Sequence, residues 1–200
     1  MALSKESIDV EVIVLVQIHQ MNLNVLVPDI ALMTNVVVIY MLKYSNYEIT
    51  FAEVPDEISL CINLTNCPHK CAGCHSPWLR EDNGTPLTYT ELTKLIKQNT
   101  GISCVCFMGG DKEPWEVVRL AKLIREDFPN LKTAWYSGSE SVDHQNQFNY
   151  VKTGPYVESM GPLNNRTTNQ RMVEYNLSTE LGPSWYMRDI TYKFWKDATH

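Results

Sequence analysis

Three cysteines fall within nine residues of this chain, Cys67-Pro68-His69-Lys70-Cys71-Ala72-Gly73-Cys74-His75, at the spacing C-x3-C-x2-C. Thiolates are soft ligands. Three held this close suit zinc or an iron–sulfur cluster, and both normally take four ligands. A structural site fills its shell, whereas a site that performs chemistry leaves one position open. No second C-x2-C or H-x3-H pair follows downstream, so the spacing favours an open site. The alternative the residues allow is a small zinc knuckle, with His69 or His75 as the fourth ligand.

The elements that must position these thiols are legible around them. Ile58, Leu60, Ile62 and Leu64 alternate with Ser59, Asn63 and Thr65, which predicts a strand over 58–65 with the cysteines hanging from its end. Another strand is expected over 47–51, where Tyr47, Ile49 and Phe51 alternate with Glu48 and Thr50, before Pro55-Asp56. Pro77, Gly84 and Pro86 keep 75–87 irregular. Thr88 with Glu91 forms a capping box, and Leu92, Leu95 and Ile96 give the buried face of a helix ending near 99–101. A β-rich run over 102–108 ends in Gly109-Gly110, and Pro114 suits the first turn of a second helix. Val117, Val118, Ala121, Leu123 and Ile124 follow in that helix, and Phe128-Pro129 stops it. Short strands are expected at 132–136, ending in Ser137-Gly138, and at 150–152, ending in Thr153-Gly154-Pro155. Residues 139–149 are weakly patterned, 164–170 read as a polar loop, and the aromatic tail 185–195 alternates like a late strand.

Strands separated by helices of this length predict an α/β fold with a mostly parallel sheet. Ligands then bind outside the carboxyl ends of the strands. The cysteine loop, Gly109-Gly110-Asp111, Ser137-Gly138 and Thr153-Gly154-Pro155 each follow a predicted strand, so all four should line one rim.

The totals narrow the function. Two hundred residues, 44% of them apolar, can bury the core of one ordinary domain. A net charge of −6 argues against nucleic acid as a main partner. Six cysteines, clustered and without a secretory signal, point to a reducing, cytoplasmic setting rather than a disulfide framework. Cys104 and Cys106 lie two apart on a strand and share a face, so they and Cys61 read as small buried packing residues. Residues 1–40 are rich in Val, Ile, Leu and Asn, with strand propensity at 10–18 and 36–40. Asp9 and Glu11 sit where a signal peptide wants positive charge, and the apolar runs at 12–16 and 36–42 are too short to span a membrane. The segment is an extension, whether extra element, partner surface or upstream sequence, and 41–200 is the working domain.

The cysteine loop resembles the cluster loop of radical S-adenosylmethionine (SAM) enzymes. Gly73, the ring of His75 and Ser76-Pro77 bring it near the small glycyl-radical activases, the activating proteins of anaerobic ribonucleoside-triphosphate reductase. Gly109-Gly110-Asp111 is similar to that family's Gly-Gly-Glu/Asp motif, Trp135-Tyr136-Ser137-Gly138 to its SAM-contacting strand, and Thr153-Gly154-Pro155-Tyr156 to its Asp-Gly-Pro-Phe, with Thr153 in place of the acid. Thr167-Thr168-Asn169-Gln170-Arg171 resembles a Ser-Asn-Gln-Arg segment near the family's C-terminus. The resemblance covers about 41–200. It implies a partial (β/α) barrel, a [4Fe–4S] cluster on Cys67, Cys71 and Cys74, and SAM contacted by His75, Gly109, Gly110, Asp111 and Ser137. It further implies reductive cleavage of SAM, an electron donor such as flavodoxin or ferredoxin, and a glycyl radical placed on the large subunit of the reductase. No catalytic residue beyond the cluster and SAM is expected, and neither nucleic acid nor membrane is a partner. Two rivals follow from the same motifs: a small-molecule radical SAM enzyme like 7-carboxy-7-deazaguanine synthase, and a non-enzymatic zinc-binding interaction module.

The composition break near Met41 generates a first expectation: a chain starting at Met41 folds and keeps its metal centre. Circular dichroism and iron content measure this, and an insoluble or iron-free product would show that 1–40 completes the core.

Overall fold

The computed structural model describes residues 41–178 and 184–195. The strand propensity read at 10–18 and 36–40, and the extension it belongs to, lie outside the described residues. Ten regular elements follow one another: β1 (Lys43–Thr50), β2 (Ser59–Leu64), β3 (Thr85–Pro86), α1 (Tyr89–Gln98), β4 (Cys104–Met108), α2 (Pro114–Asp127), β5 (Lys132–Tyr136), β6 (Tyr150–Thr153), β7 (Arg171–Ser178) and β8 (Ser184–Asp189). Neither described helix is long and apolar enough to cross a membrane.

Both helices begin where the sequence places them. Thr88 caps α1, its hydroxyl accepting the Glu91 N–H at 3.1 Å, and Asn99 closes the other end by donating to the Leu95 carbonyl at 2.8 Å. Pro114 opens α2, and the Phe128 N–H donates to Ile124 at 2.7 Å before Pro129 forbids another turn.

The strands form one open sheet in the order β3-β1-β2-β4-β5-β6-β7-β8. The α/β class is as expected, but the sheet is mixed. The pairings β2–β4, β4–β5 and β5–β6 are parallel, while β1 and β3 on one side and β7 and β8 on the other run antiparallel. A mostly parallel sheet is therefore found only in its centre. Parallel neighbours need a crossover, usually helical, and α1 and α2 supply two of them. After β6 the chain returns through a loop, so β7 must pair antiparallel. The polar loop expected at 164–170 is present; β7 itself is not signalled by a clean alternation. The late strand is shorter than expected, because β8 ends at Asp189 and a single 3-10 turn (Thr191–Phe194) follows.

The two faces of the sheet differ in side-chain size. Leu60, Ile62, Leu64, Val105, Phe107, Trp135 and Val151 meet Leu92, Leu95, Val117, Leu120, Ala121 and Ile124 from both helices. The opposite face carries Cys61, Cys104, Cys106, Ala134, Tyr150 and Met172, closed off by Val54, Ile190 and Phe194 from loops. Register makes that second face a set of rows. Cys61, Cys106, Ala134 and Tyr150 align, and one step toward the carboxyl ends Asn63, Met108, Tyr136 and Lys152 align.

At the amino ends of the same strands, Glu57 is 6% exposed and fully engaged. It pairs with the Lys132 ammonium, accepts from the Tyr150 hydroxyl at 2.9 Å and from Ser103 at 2.6 Å, and Ser103 in turn accepts the Ile58 N–H. This joins the starts of β2, β4, β5 and β6. Removing the carboxylate strands a buried hydroxyl and an ammonium, so Glu57→Ala is expected to cost about 2 kcal/mol, discounted because Lys132 is half-exposed. Urea denaturation measures it, and an unmoved midpoint would mean the network adds no stability.

Candidate functional site

Parallel register brings four turns to one edge. The cysteine loop follows β2, Gly109-Gly110-Asp111 follows β4, Ser137-Gly138 follows β5 and Gly154-Pro155 follows β6. Asn66 turns the chain out of β2 in the left-handed region, φ 61°. The loop is then pinned from outside by the 3-10 turn Pro77–Arg80. Cys67 N–H donates to Leu79 at 2.9 Å, Asn66 N–H to Glu81 at 3.0 Å, and the Arg80 guanidinium to the Cys71 carbonyl at 2.7 Å.

The six cysteines fall into two classes. Cys67, Cys71 and Cys74 are free and half-buried, while Cys61, Cys104 and Cys106 are free and inaccessible. Burial pushes the thiols of Cys104 and Cys106 well up, which holds them protonated and inert. The rim thiol of Cys67 is also raised, first by burial and then by the neighbouring charges of Asp111, Cys71 and Cys74. Among the described residues no group of three or more His, Cys, Asp or Glu side chains is already arranged around a metal position. Metal sites commonly assemble only as ligands lose their protons to the metal.

Asp111 is the most strongly held of the expected cofactor contacts. Its side chain is 4% exposed, accepts from the Ser137 hydroxyl and from the Gly138 N–H at 3.0 Å, and faces His69 Nε2 at 3.3 Å without the alignment of a hydrogen bond. The His69 ring lies so close to Gly138 that a Cβ there would sit 2.5 Å from it. Asp111 and Ser137 are thus brought together, and His69, read from the sequence as a candidate fourth ligand, instead sets the cysteine loop against Asp111 and Gly138. His75 is exposed and acts electrostatically on Glu53.

Gly109 and Gly110 both adopt positive φ, 105° and 90°. Gly109 is tied across the edge, its N–H donating to Tyr136 at 2.9 Å and its carbonyl accepting from the Trp135 indole at 2.8 Å. The need for glycine at 110 comes from packing beneath the turn. A Cβ would lie 2.5 Å from Val117 Cγ2 and 2.9 Å from Leu64 Cδ1. Gly110→Val would therefore disturb the seat of α2 as well as any ligand approach, and Gly109, though its nearest neighbour would lie at 3.4 Å, is held to glycine by its backbone conformation. A Cβ at Gly73 would lie 3.2 Å from the Glu158 carboxyl and 3.4 Å from the Tyr156 ring, so the ring beside the last cysteine comes from the segment after Gly154-Pro155. Asn169 and Gln170 brace that turn, donating to the carbonyls of Pro155 and Gly154 at 2.9 Å and 3.3 Å. The Thr167–Arg171 segment serves as a strut, not merely as a solvated loop.

Two features escaped sequence reading. Lys152, 8% exposed, reaches from β6 into the rim and donates to the carbonyls of Gly154 and Ser137 at 2.7 Å and 3.4 Å. The period-two alternation Tyr150, Lys152 already put it on the small-residue face. A cavity of about 560 Å³ opens near that face, lined in part by Phe51, Glu53, Tyr136, Leu163 and Phe194. Its walls come from segments distant in sequence, so no local signal announces it.

A family model described as a 4Fe-4S single cluster domain matches residues 58–173, more than half of the chain. The chain belongs to that family. Neither the curated proteins nor the solved structures give a match. The donor chemistry fits this single-cluster iron–sulfur family: three free thiols on one pinned loop.

Cys67→Ala, Cys71→Ala or Cys74→Ala should each abolish cluster loading, whereas Cys104→Ala and Cys106→Ala should load normally and lose only packing stability. Iron and sulfide per chain after anaerobic reconstitution separates the two classes. Equal loss in both would refute the ligand assignment.

Proposed function

We propose that this iron–sulfur protein is a radical SAM activase that places a glycyl radical on the large subunit of anaerobic ribonucleotide reductase. The observation that carries the proposal is the convergence at one sheet edge of the cysteine loop, the Gly-Gly-Asp turn and the Ser137-Gly138 turn, tied together through Asp111. Four parallel strands with both helices on one face are read as the wall of a partial (β/α) barrel.

In this proposal Cys67, Cys71 and Cys74 hold the cluster and leave one iron for the cofactor. Cluster and SAM together supply one low-potential electron and a carbon radical able to take a hydrogen atom from glycine. The chain's own residues position and shield. Asp111, immobilised by Ser137 and Gly138, presents fixed negative charge beside the Gly109-Gly110 backbone, where an ammonium group can be held. His75 stands exposed at the outer lip, available to a flat ring. The cavity bounded by Phe51, Tyr136 and Phe194 gives a partner's loop a mouth to enter, because hydrogen transfer needs the reacting atoms within about 3–3.5 Å. Flavodoxin or ferredoxin is the proposed electron donor.

The test is an anaerobic mixture of this protein, SAM, a reductant and the reductase large subunit, read by electron paramagnetic resonance. A doublet glycyl signal that requires both SAM and this chain is expected. SAM cleavage without a protein radical, but with turnover of a small molecule, would overturn the activase assignment and favour a small-molecule radical SAM enzyme.

A further inference from the structure

Among the described residues Lys152 is the one buried cation. Its setting contrasts with that of Lys132, which meets the Glu57 carboxylate directly. Lys152 makes no salt bridge among the described residues and donates only to two backbone carbonyls, those of Ser137 and Gly154. Both carbonyls belong to rim turns, so the ammonium is fixed at the mouth of the site. Asp111, Cys71 and Glu53 all act on it electrostatically from around that mouth. Asp111 is itself occupied by Ser137 and Gly138. An ammonium withdrawn from water without direct neutralisation is costly. Burial lowers its pKa and the three neighbours offset part of that, leaving it at about 8, so the charge is retained at neutral pH. The negative charge that completes its surroundings arrives when the rim cysteines give up their protons to bind metal.

We propose that Lys152 is the countercharge of the cluster loop: its ammonium offsets the negative charge of the thiolate-bound cluster and raises the potential at which that cluster accepts an electron. The proposal rests on the cysteine loop holding the cluster, not on the activase assignment. The step concerned is a single electron passing from a low-potential donor to the cluster. The donor is oxidised and the cluster reduced, no bond forms or breaks, and no proton is required because the ammonium already supplies the opposite charge. Lys152 acts through space and is a positioning residue of charge.

The experiment uses the full chain, reconstituted anaerobically, with no SAM and no partner present. Wild type, Lys152→Arg, Lys152→Gln and Lys152→Met are compared by iron and sulfide content and then by dye-mediated titration with dithionite. The Gln and Met variants are expected to disfavour reduction at least tenfold, which is about 59 mV for a one-electron couple, with Arg staying near wild type. A loaded Gln variant with the wild-type potential would overturn the proposal, as would an Arg variant shifted as far as Gln. If Gln and Met fail to load while Arg loads, the charge requirement is supported. If all three fail, shape and not charge is needed at this position, and the proposal falls. Because SAM and reductase are absent, none of these outcomes bears on whether the protein is an activase.

Discussion

The parallel register of β2, β4, β5 and β6 is the constraint from which the rest of this structure follows. Strands hydrogen-bonded in parallel must end on the same side, so residues far apart in the chain, Cys67, Asp111, Ser137 and Gly154, emerge at one edge. The pleat then divides side chains between a helix-covered face of Leu, Ile, Val and Phe and a face of Cys, Ala and Met that loop residues close.

Charge is distributed along the same strands in a matching way. At their amino ends Glu57 is enclosed and neutralised by Lys132, Tyr150 and Ser103, a closed network that ties the strand starts together. At their carboxyl ends Asp111 and Lys152 are both buried, yet each is held mainly by backbone and hydroxyl groups instead of by the other. Paired charge at one end suits structure. At the other end the two charges are held separately.

The cysteines show how environment decides chemistry for one residue type. Cys61, Cys104 and Cys106 lie in the sheet interior as small apolar groups, and burial keeps the thiols of Cys104 and Cys106 protonated. Cys67, Cys71 and Cys74 sit on a loop that Leu79, Arg80 and Glu81 hold by its backbone, leaving the sulfurs unengaged by disulfides and partly accessible.

The sequence alone determined what is local. The C-x3-C-x2-C spacing, the Thr88 cap, the Pro114 start and the strand ends at Gly109 and Ser137 rest on near-neighbour sterics and hydrogen bonds that the chain writes in adjacent residues. From these the α/β class and the shared rim were legible, and the family match to an iron–sulfur domain agrees with the donor set. The tertiary structure decided what depends on distant segments. It made the sheet mixed, because no helix returns the chain after β6 and β7 must run antiparallel. It assigned Gly110 to packing under α2, set His69 against Gly138 and Asp111, and turned Asn169 and Gln170 into a brace for the Gly154 turn. It also buried Lys152 at the rim. Such contacts join residues tens of positions apart, and their energies come from burial and charge that only the folded chain creates, so no spacing in the sequence can carry them.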